Sequence, residues 1–215
     1  MGAAILACAL DFDGVVLESV GVKLAAFKRL FADRADAALI ARYLEEHNGV
    51  DRYTKFRHIW TAMLGLAYDQ GVEERLDSEF NALIFDAVCT CPFVPGAESF
   101  LNETSLPLYV VSAMPLRDLK QIVERRGLAQ LFRGLYGSPG RKPDQLRDIL
   151  AREGLAPDRL VFVGDSPNDL KAAREAGVRF IGRRNAEDFG STDVEILPDL
   201  RGLPAALASF SAPCP

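Results

Sequence analysis

Ile5-Leu6-Ala7-Cys8-Ala9-Leu10-Asp11-Phe12-Asp13-Gly14-Val15-Val16 sets an unbroken apolar run directly before two carboxylates spaced two residues apart. An apolar run this short, with no polar alternation, reads as a strand covered on both faces, and open α/β sheets bind ligands at the carboxyl ends of such strands. Asp11 and Asp13 are therefore expected to share a cleft. Taken alone the string says little, because Asp-Gly is also ordinary turn chemistry. A calcium-loop reading is excluded: counting from Asp11, the fifth and sixth places of that loop hold Val15 and Val16, where an oxygen ligand and Gly are required.

Further along the chain stand the groups such a pair would need. Leu160-Val161-Phe162-Val163 runs into Gly164-Asp165-Ser166-Pro167-Asn168-Asp169, and Leu108-Tyr109-Val110-Val111 runs into Ser112-Ala113. Between them, Arg141-Lys142-Pro143 follows Gly137-Ser138-Pro139-Gly140, a composition that suits a loop. Three strand ends thus offer acids or hydroxyls, and one loop offers a cation.

In these residues the chain resembles the haloacid dehalogenase superfamily, whose four motifs are matched by DFDGVVLES, VVSAMP, GRKPD and GDSPND. The resemblance spans most of the chain, since Ala172-Ala173-Arg174-Glu175-Ala176-Gly177 also looks like the family, and it lies nearest the phosphoglycolate phosphatase and β-phosphoglucomutase branch with a helical cap.

Composition sets the outer limits. A chain of 215 residues, 49% hydrophobic, can hold one medium core plus an inserted module. Its net charge of -5 carries no basic stripe, so neither nucleic acid nor an anionic membrane is expected as a partner. No apolar run approaches the ~20 residues of a membrane span and no signal-peptide pattern opens the chain, which gives the expectation of a cytoplasmic protein. Cys8, Cys89, Cys91 and Cys214 lack metal-ligand spacing and read as buried thiols.

After Ser19 the pattern turns helical, with Leu24, Phe27, Leu30 and Phe31 on one face. Further helices are expected over 37–46, 53–64 and 73–88. A Pro/Gly stretch, Pro92-Phe93-Val94-Pro95-Gly96, then returns the chain to alternating strands and helices. The expected fold is α/β: a doubly wound, Rossmann-like parallel sheet formed by residues 1–18 and 94–215, with an all-helical cap inserted over 19–93. Pro115 should open a helix that stops before Gly127. Ser166 should cap a helix ending at Gly177, and the tail from Ser209 should fray.

What the resemblance implies about chemistry can be stated residue by residue. Asp11 is the expected nucleophile, forming an aspartyl-phosphate, and Asp13 the general acid and then base. Ser112, with the backbone at Ala113, donates to the transferring phosphoryl group, and Lys142 neutralises charge on it and on Asp11. Mg²⁺ is the implied cofactor, held by Asp11, the backbone carbonyl of Asp13, Asp165 and Asp169. Gly14 turns the chain so that Asp13 can face the leaving group. The substrate is a small phosphate ester, a sugar phosphate or organic acid phosphate.

Bland readings stand beside several of these assignments. Asp169 forms an S-x-x-D capping pattern with Ser166, Ser112 could be a strand-end turn residue, and Lys142 could be a solvated loop lysine beside Arg141. In the insert, Asn48-Gly49-Val50-Asp51-Arg52-Tyr53-Thr54-Lys55-Phe56 resembles the substrate-facing loop of β-phosphoglucomutase-like relatives, which places Arg52 and Lys55 toward substrate; otherwise they begin a charged, solvated helix. Lys23 stands where many of those relatives carry His, which disfavours a phosphosugar mutase. His47, His58 and Trp60 read as packing or surface residues.

Overall fold

The computed structural model describes residues 4–34, 36–47, 50–185, 189–190 and 192–210. These form two compact units, one running to Glu18 and resuming at Pro92, the other spanning Ser19–Cys91. In chain order the elements are β1 (Ala7–Leu10), α1 (Val20–Leu30), α2 (Ala37–Glu46), α3 (Arg52–His58), α4 (Gln70–Thr90), α5 (Ala97–Glu103), β2 (Leu108–Pro115) and α6 (Leu116–Arg125). They continue with β3 (Gly134–Ser138), α7 (Lys142–Glu153), β4 (Leu160–Gly164), α8 (Pro167–Ala176), β5 (Arg179–Arg183), β6 (Ile196–Leu197) and α9 (Leu203–Ser209).

All six strands belong to the first unit and pair in parallel in the order β3-β2-β1-β4-β5-β6. The chain therefore winds outward from β1 on one side, then crosses to the other, and the switch point falls at β1 and β4, where doubly wound sheets leave a crevice at their carboxyl edge. The central strand carries small residues: Ala7, Cys8 and Ala9 are fully buried, and bulk comes from the neighbours. On one face Ala7 and Ala9 pack with Tyr109, Val111, Leu160 and Phe162 under Leu146 and Ile149 of α7 and Leu170 and Ala173 of α8. Alternate residues Cys8, Leu10, Val110, Val161 and Val163 are buried on the other face, as a strand covered on both sides requires.

The helical unit is organised by aromatic contacts. Phe27 of α1, Phe56 of α3 and Phe80 of α4 meet with ring centroids 4.2 to 5.9 Å apart in tilted and edge-on arrangements that favour aromatic pairs. Asp51 caps α3 by accepting from the backbone of Tyr53 and Thr54, and Asp69 caps α4 by accepting from Val72. Among the described residues no helix is long and apolar enough to cross a membrane.

Several details differ from the sequence reading. The helix expected over 53–64 is α3 followed by a π-helical turn at Ile59–Met63, where the Leu64 N–H reaches back to Ile59, and Trp60 donates to the Ala67 carbonyl at 2.9 Å. The helix expected over 73–88 is longer at both ends. Gly137 and Ser138, expected in a loop, end strand β3. Pro92 and Phe93, placed in the cap from sequence, group with the sheet unit because the Glu18 N–H donates to the Pro92 carbonyl and Leu17 bridges Phe93. Cys8 and Cys91 are buried but Cys89 is partly exposed, while Cys214 and the tail from Ser211 lie outside the described residues.

Gly96 opens α5 at φ 84°, and a Cβ there would meet the backbone of Leu200 and Arg201, next to the Leu200 N–H to Pro95 carbonyl bond of 2.9 Å. Gly96→Ala should therefore lose roughly 2 kcal/mol or more, from left-handed backbone strain and overpacking together. Urea unfolding should show a lower midpoint with an unchanged slope; a shift below about 0.5 kcal/mol would contradict the close approach.

Candidate active site

The register of the sheet brings the sequence motifs to one edge. Leu10 pairs with Val110 of β2 and Val163 of β4, and the Asp11 N–H extends the ladder by donating to the Val163 carbonyl at 2.8 Å. Ser112 and Asp165 each lie two residues beyond those pairing partners, on the strands flanking β1. Three neighbouring strands thus deliver Asp11, Ser112 and Asp165 to the carboxyl edge of the sheet.

Lys142 is the first residue of α7, so the expected loop lysine is a helix-start residue, with Pro143 behind it in the first turn where a missing N–H costs nothing. Its side chain is not solvated. It is 11% exposed, and Nζ donates to Asp11 Oδ2 at 2.8 Å and to Asp169 Oδ1 at 2.5 Å, above the ring of Phe162. Arg141 turns outward to Glu175, which resolves the ambiguity between the two adjacent cations.

Asp169 performs both tasks that the sequence left as alternatives. Its Oδ2 accepts from the Ser166 hydroxyl at 2.6 Å and the Ser166 N–H at 3.2 Å, closing the capping box of α8, while Oδ1 meets Lys142. The cap is thus also the device that holds a fully buried carboxylate in one orientation. Asp11 is fixed similarly: Oδ1 accepts from the Phe12 N–H at 2.6 Å, and Oδ2 from Lys142.

One oxygen from each of Asp11, Asp165 and Asp169 falls within 4.8 Å of the others, in a buried cluster whose donor set of carboxylate oxygens suits a hard divalent cation. The electrostatics agree with that chemistry. Burial, with added repulsion from Asp169 and Asp13, pushes Asp11 up to about 7 despite the opposing pull of Lys142. Asp165 is raised well above the usual carboxylate range by burial and by Asp11 and Asp169. For Lys142, burial works against the charge, but the two carboxylates outweigh it and hold the ammonium protonated. One lysine does not neutralise the cluster.

The remaining expected residues are placed as follows. Asp13 is partly exposed and bridges Leu17, in a tight turn closed by the Gly14 N–H on the Leu17 carbonyl at 2.7 Å. Gly14 has φ 75°, and a Cβ there would run into the side chains of Asp165 and Asn185, so the position needs both the left-handed conformation and the absent side chain. Ser112 is buried, and its Oγ accepts from the Met114 N–H at 3.1 Å; β2 does not stop at Ser112-Ala113 as expected but continues to Pro115 through a break in register after Val111. Asn185 was not anticipated: its Nδ2 donates to Asp165 Oδ2 at 2.6 Å, and no motif in the sequence pointed to it.

Lys23, Arg52 and Lys55 belong to the helical unit. Lys23 lies partly exposed in α1. Arg52 and Lys55 are each only 5% exposed, so the solvated-helix reading fails for both. Arg52 Nη1 donates to Asp77 Oδ1 at 2.8 Å and Asn81 Oδ1 at 2.6 Å, with the guanidinium 4.9 Å from the Phe80 ring centre, while Lys55 lies over Phe27. Asn48 and Gly49 of the same segment lie outside the described residues. Tyr43 stacks between His47 and His58, a packing role for both histidines.

A family model of haloacid dehalogenase-like hydrolases matches residues 5–177. The chain belongs to that family and is an enzyme, a phosphatase of the haloacid dehalogenase type. It is similar to a phosphoglycolate phosphatase of Pseudomonas putida, 26% identical over 212 residues that cover 90% of this chain and 76% of the relative. A phosphoglycolate phosphatase of Pectobacterium atrosepticum is 27% identical over 92% of this chain and 88% of its own. Among solved structures, a conserved haloacid dehalogenase-like protein from Agrobacterium tumefaciens superposes with a TM-score of 0.76 at 18% identity, covering 97% of this chain and 100% of that one. CbbY from Rhodobacter sphaeroides, in complex with phosphate, gives 0.72 at 19%, covering 95% and 99%. These structures share the fold.

Because the folded-state value of Asp11 is raised from 3.8 to about 7, its stabilising contribution is complete below the lower value and is lost as pH rises through the upper one. Asp11→Asn removes this titration. In chelator, its stability relative to wild type should rise by on the order of 1 kcal/mol or more between about pH 5 and about pH 8. Parallel urea titrations across that range check this, and a pH-independent difference would contradict it.

Proposed function

We propose that this phosphatase is Mg²⁺-dependent and hydrolyses a small phosphorylated organic acid, with 2-phosphoglycolate the first candidate, through an aspartyl-phosphate on Asp11. The observation that carries the reading is the Lys142 ammonium held between the buried Asp11 and Asp169 carboxylates, with Asp165 alongside, at the carboxyl edge of β1 and β4. A phosphate dianion would be repelled by this many acids with one lysine. Asp11, Asp165, Asp169 and the Asp13 carbonyl are the residues that would hold Mg²⁺, which when bound supplies positive charge for phosphate and carboxylate oxygens to share.

In the proposed cycle Asp11 attacks phosphorus as the bond to the leaving oxygen breaks, and Asp13 delivers a proton to that oxygen. Asp13 then takes a proton from water as the water oxygen attacks phosphorus, which releases inorganic phosphate and restores the Asp11 carboxylate. The Asp13 side chain suits this traffic because it is partly exposed, whereas Asp11 is pinned by the Phe12 N–H and Lys142. The Ser112 hydroxyl and the Ala113 backbone hold the transferring oxygens. The sequence resemblance assigns Lys23, Arg52 and Lys55 a substrate-reading role, which the Arg52 substitution below tests. The similarity to phosphoglycolate phosphatases over nine-tenths of the chain supports that substrate class.

Asp11→Asn should lower turnover by more than about a hundredfold while the melting transition is retained. Chelator should abolish phosphate release and Mg²⁺ restore it. Release of inorganic phosphate from 2-phosphoglycolate, hexose phosphates and an aryl phosphate measures both. Isomerisation of a hexose phosphate faster than phosphate release would replace hydrolysis with mutase chemistry, and no release from any ester would leave a non-catalytic module. Arg52→Ala should raise KM for the organic acid phosphate more than for the aryl phosphate. It should also lower stability by on the order of 1 kcal/mol or more, because Asp77 and Asn81 each lose the buried guanidinium that donates to them.

A further inference from the structure

Asn185 lies just beyond β5, directly after two residues that are each tied to another part of the sheet unit. The Arg184 N–H donates to the Leu197 carbonyl of β6 at 2.7 Å, and Arg183 Nη2 reaches Glu18 Oε1 at 2.5 Å, next to the loop that carries Asp13 and Gly14. From that position the Asn185 amide donates to Asp165 Oδ2 at 2.6 Å, and the missing side chain of Gly14 leaves the space in which they meet. Sequence motifs did not single this residue out, and the proposed reaction gives it no proton or bond to handle.

Each carboxylate of the cluster has a donor fixed on it. Asp11 takes the Phe12 N–H on Oδ1 and Lys142 on Oδ2, Asp169 takes Lys142 on Oδ1 and Ser166 on Oδ2, and Asp165 takes Asn185 on Oδ2. For Asp165, engagement of Oδ2 by the Asn185 amide turns Oδ1 to a cation. That arrangement suits the small octahedral ion, which takes one oxygen from each carboxylate. Calcium, with six to eight oxygen ligands at longer distances, gains more from carboxylates that chelate through both oxygens.

We propose that Asn185 is a positioning residue that holds Asp165 to one-oxygen ligation and thereby sets the preference of the site for Mg²⁺ over Ca²⁺. This deepens the cation reading of the proposed function and rests on it. Losing an orienting partner of a metal ligand costs about 10- to 100-fold in affinity in comparable sites. Here the loss should fall on Mg²⁺, because freeing Asp165 Oδ2 gives Ca²⁺ a second ligand atom that offsets what orientation is lost.

The test is calorimetric titration of the full chelator-stripped chain with MgCl₂ and, separately, CaCl₂, for wild type, Asn185→Ala and Asn185→Asp, with the melting temperature of each ion-loaded form as a second readout. Asn185→Asp keeps the shape, adds an anion and removes the donor, so a purely electrostatic role would tighten both ions equally. The expected result is a Mg²⁺/Ca²⁺ affinity ratio at least about tenfold lower in both variants, with Ca²⁺ raising the melting temperature relatively more. A ratio within about twofold of wild type in either folded variant overturns the role of Asn185 and leaves the cation reading intact. If the wild-type chain binds neither ion, the cation reading fails first and the inference falls with it.

Discussion

A single ammonium group shared by two buried carboxylates governs the site. Lys142 comes from the start of α7, Asp11 from the end of β1 and Asp169 from the first turn of α8, so the contact ties three elements whose only common feature is the carboxyl edge of the sheet. In a low-dielectric setting, removing Lys142 strands two buried carboxylates at once, and the cost of an unpaired buried ion exceeds the value of an intact pair. The arrangement is therefore an all-or-none constraint on how α7 and α8 dock against β1 and β4. Phe162 and the apolar faces of both helices supply the packing that holds them there.

The site is nevertheless over-supplied with negative charge, and that imbalance is what makes it chemically useful. Burial and mutual repulsion raise Asp11 and Asp165, which is the condition under which a polycation or divalent ion gains most by entering. The fold holds the repelling groups together by giving each a donor that is already part of the architecture: a backbone N–H at the end of β1, the capping box of α8, an amide after β5. Secondary-structure termination and preorganisation of the site are here the same hydrogen bonds.

Legibility in the sequence followed the physics of each element. Strands β1, β2 and β4 were readable because unbroken apolar runs have no other stable use at that length, and the helix starts at Pro115 and Ser166 because capping chemistry is local. Strand β3 was missed: Gly134-Leu135-Tyr136-Gly137-Ser138 has two glycines and a serine, tolerable in an edge strand whose outer side needs no partner. Lys142 was found, but as a loop residue. The π-helical turn after α3 left no trace in the apolar periodicity.

By itself the sequence placed Asp11 and Asp165 at the ends of buried strands, because an apolar run and the acid that follows it are written in adjacent residues. Only the tertiary structure decided which of Arg141 and Lys142 turns inward, that Asp169 serves the helix cap and the lysine together, and that Asn185 reaches Asp165. It also decided that Arg52 is engaged by Asp77 and Asn81 inside the helical unit and not solvated. The reason is separation along the chain: Lys142 meets a carboxylate 131 residues earlier and Asn185 one 20 residues earlier. Local pattern sets strands, caps and turns, whereas the pairing of distant charges depends on strand order and register, which bring into contact groups that no local pattern relates.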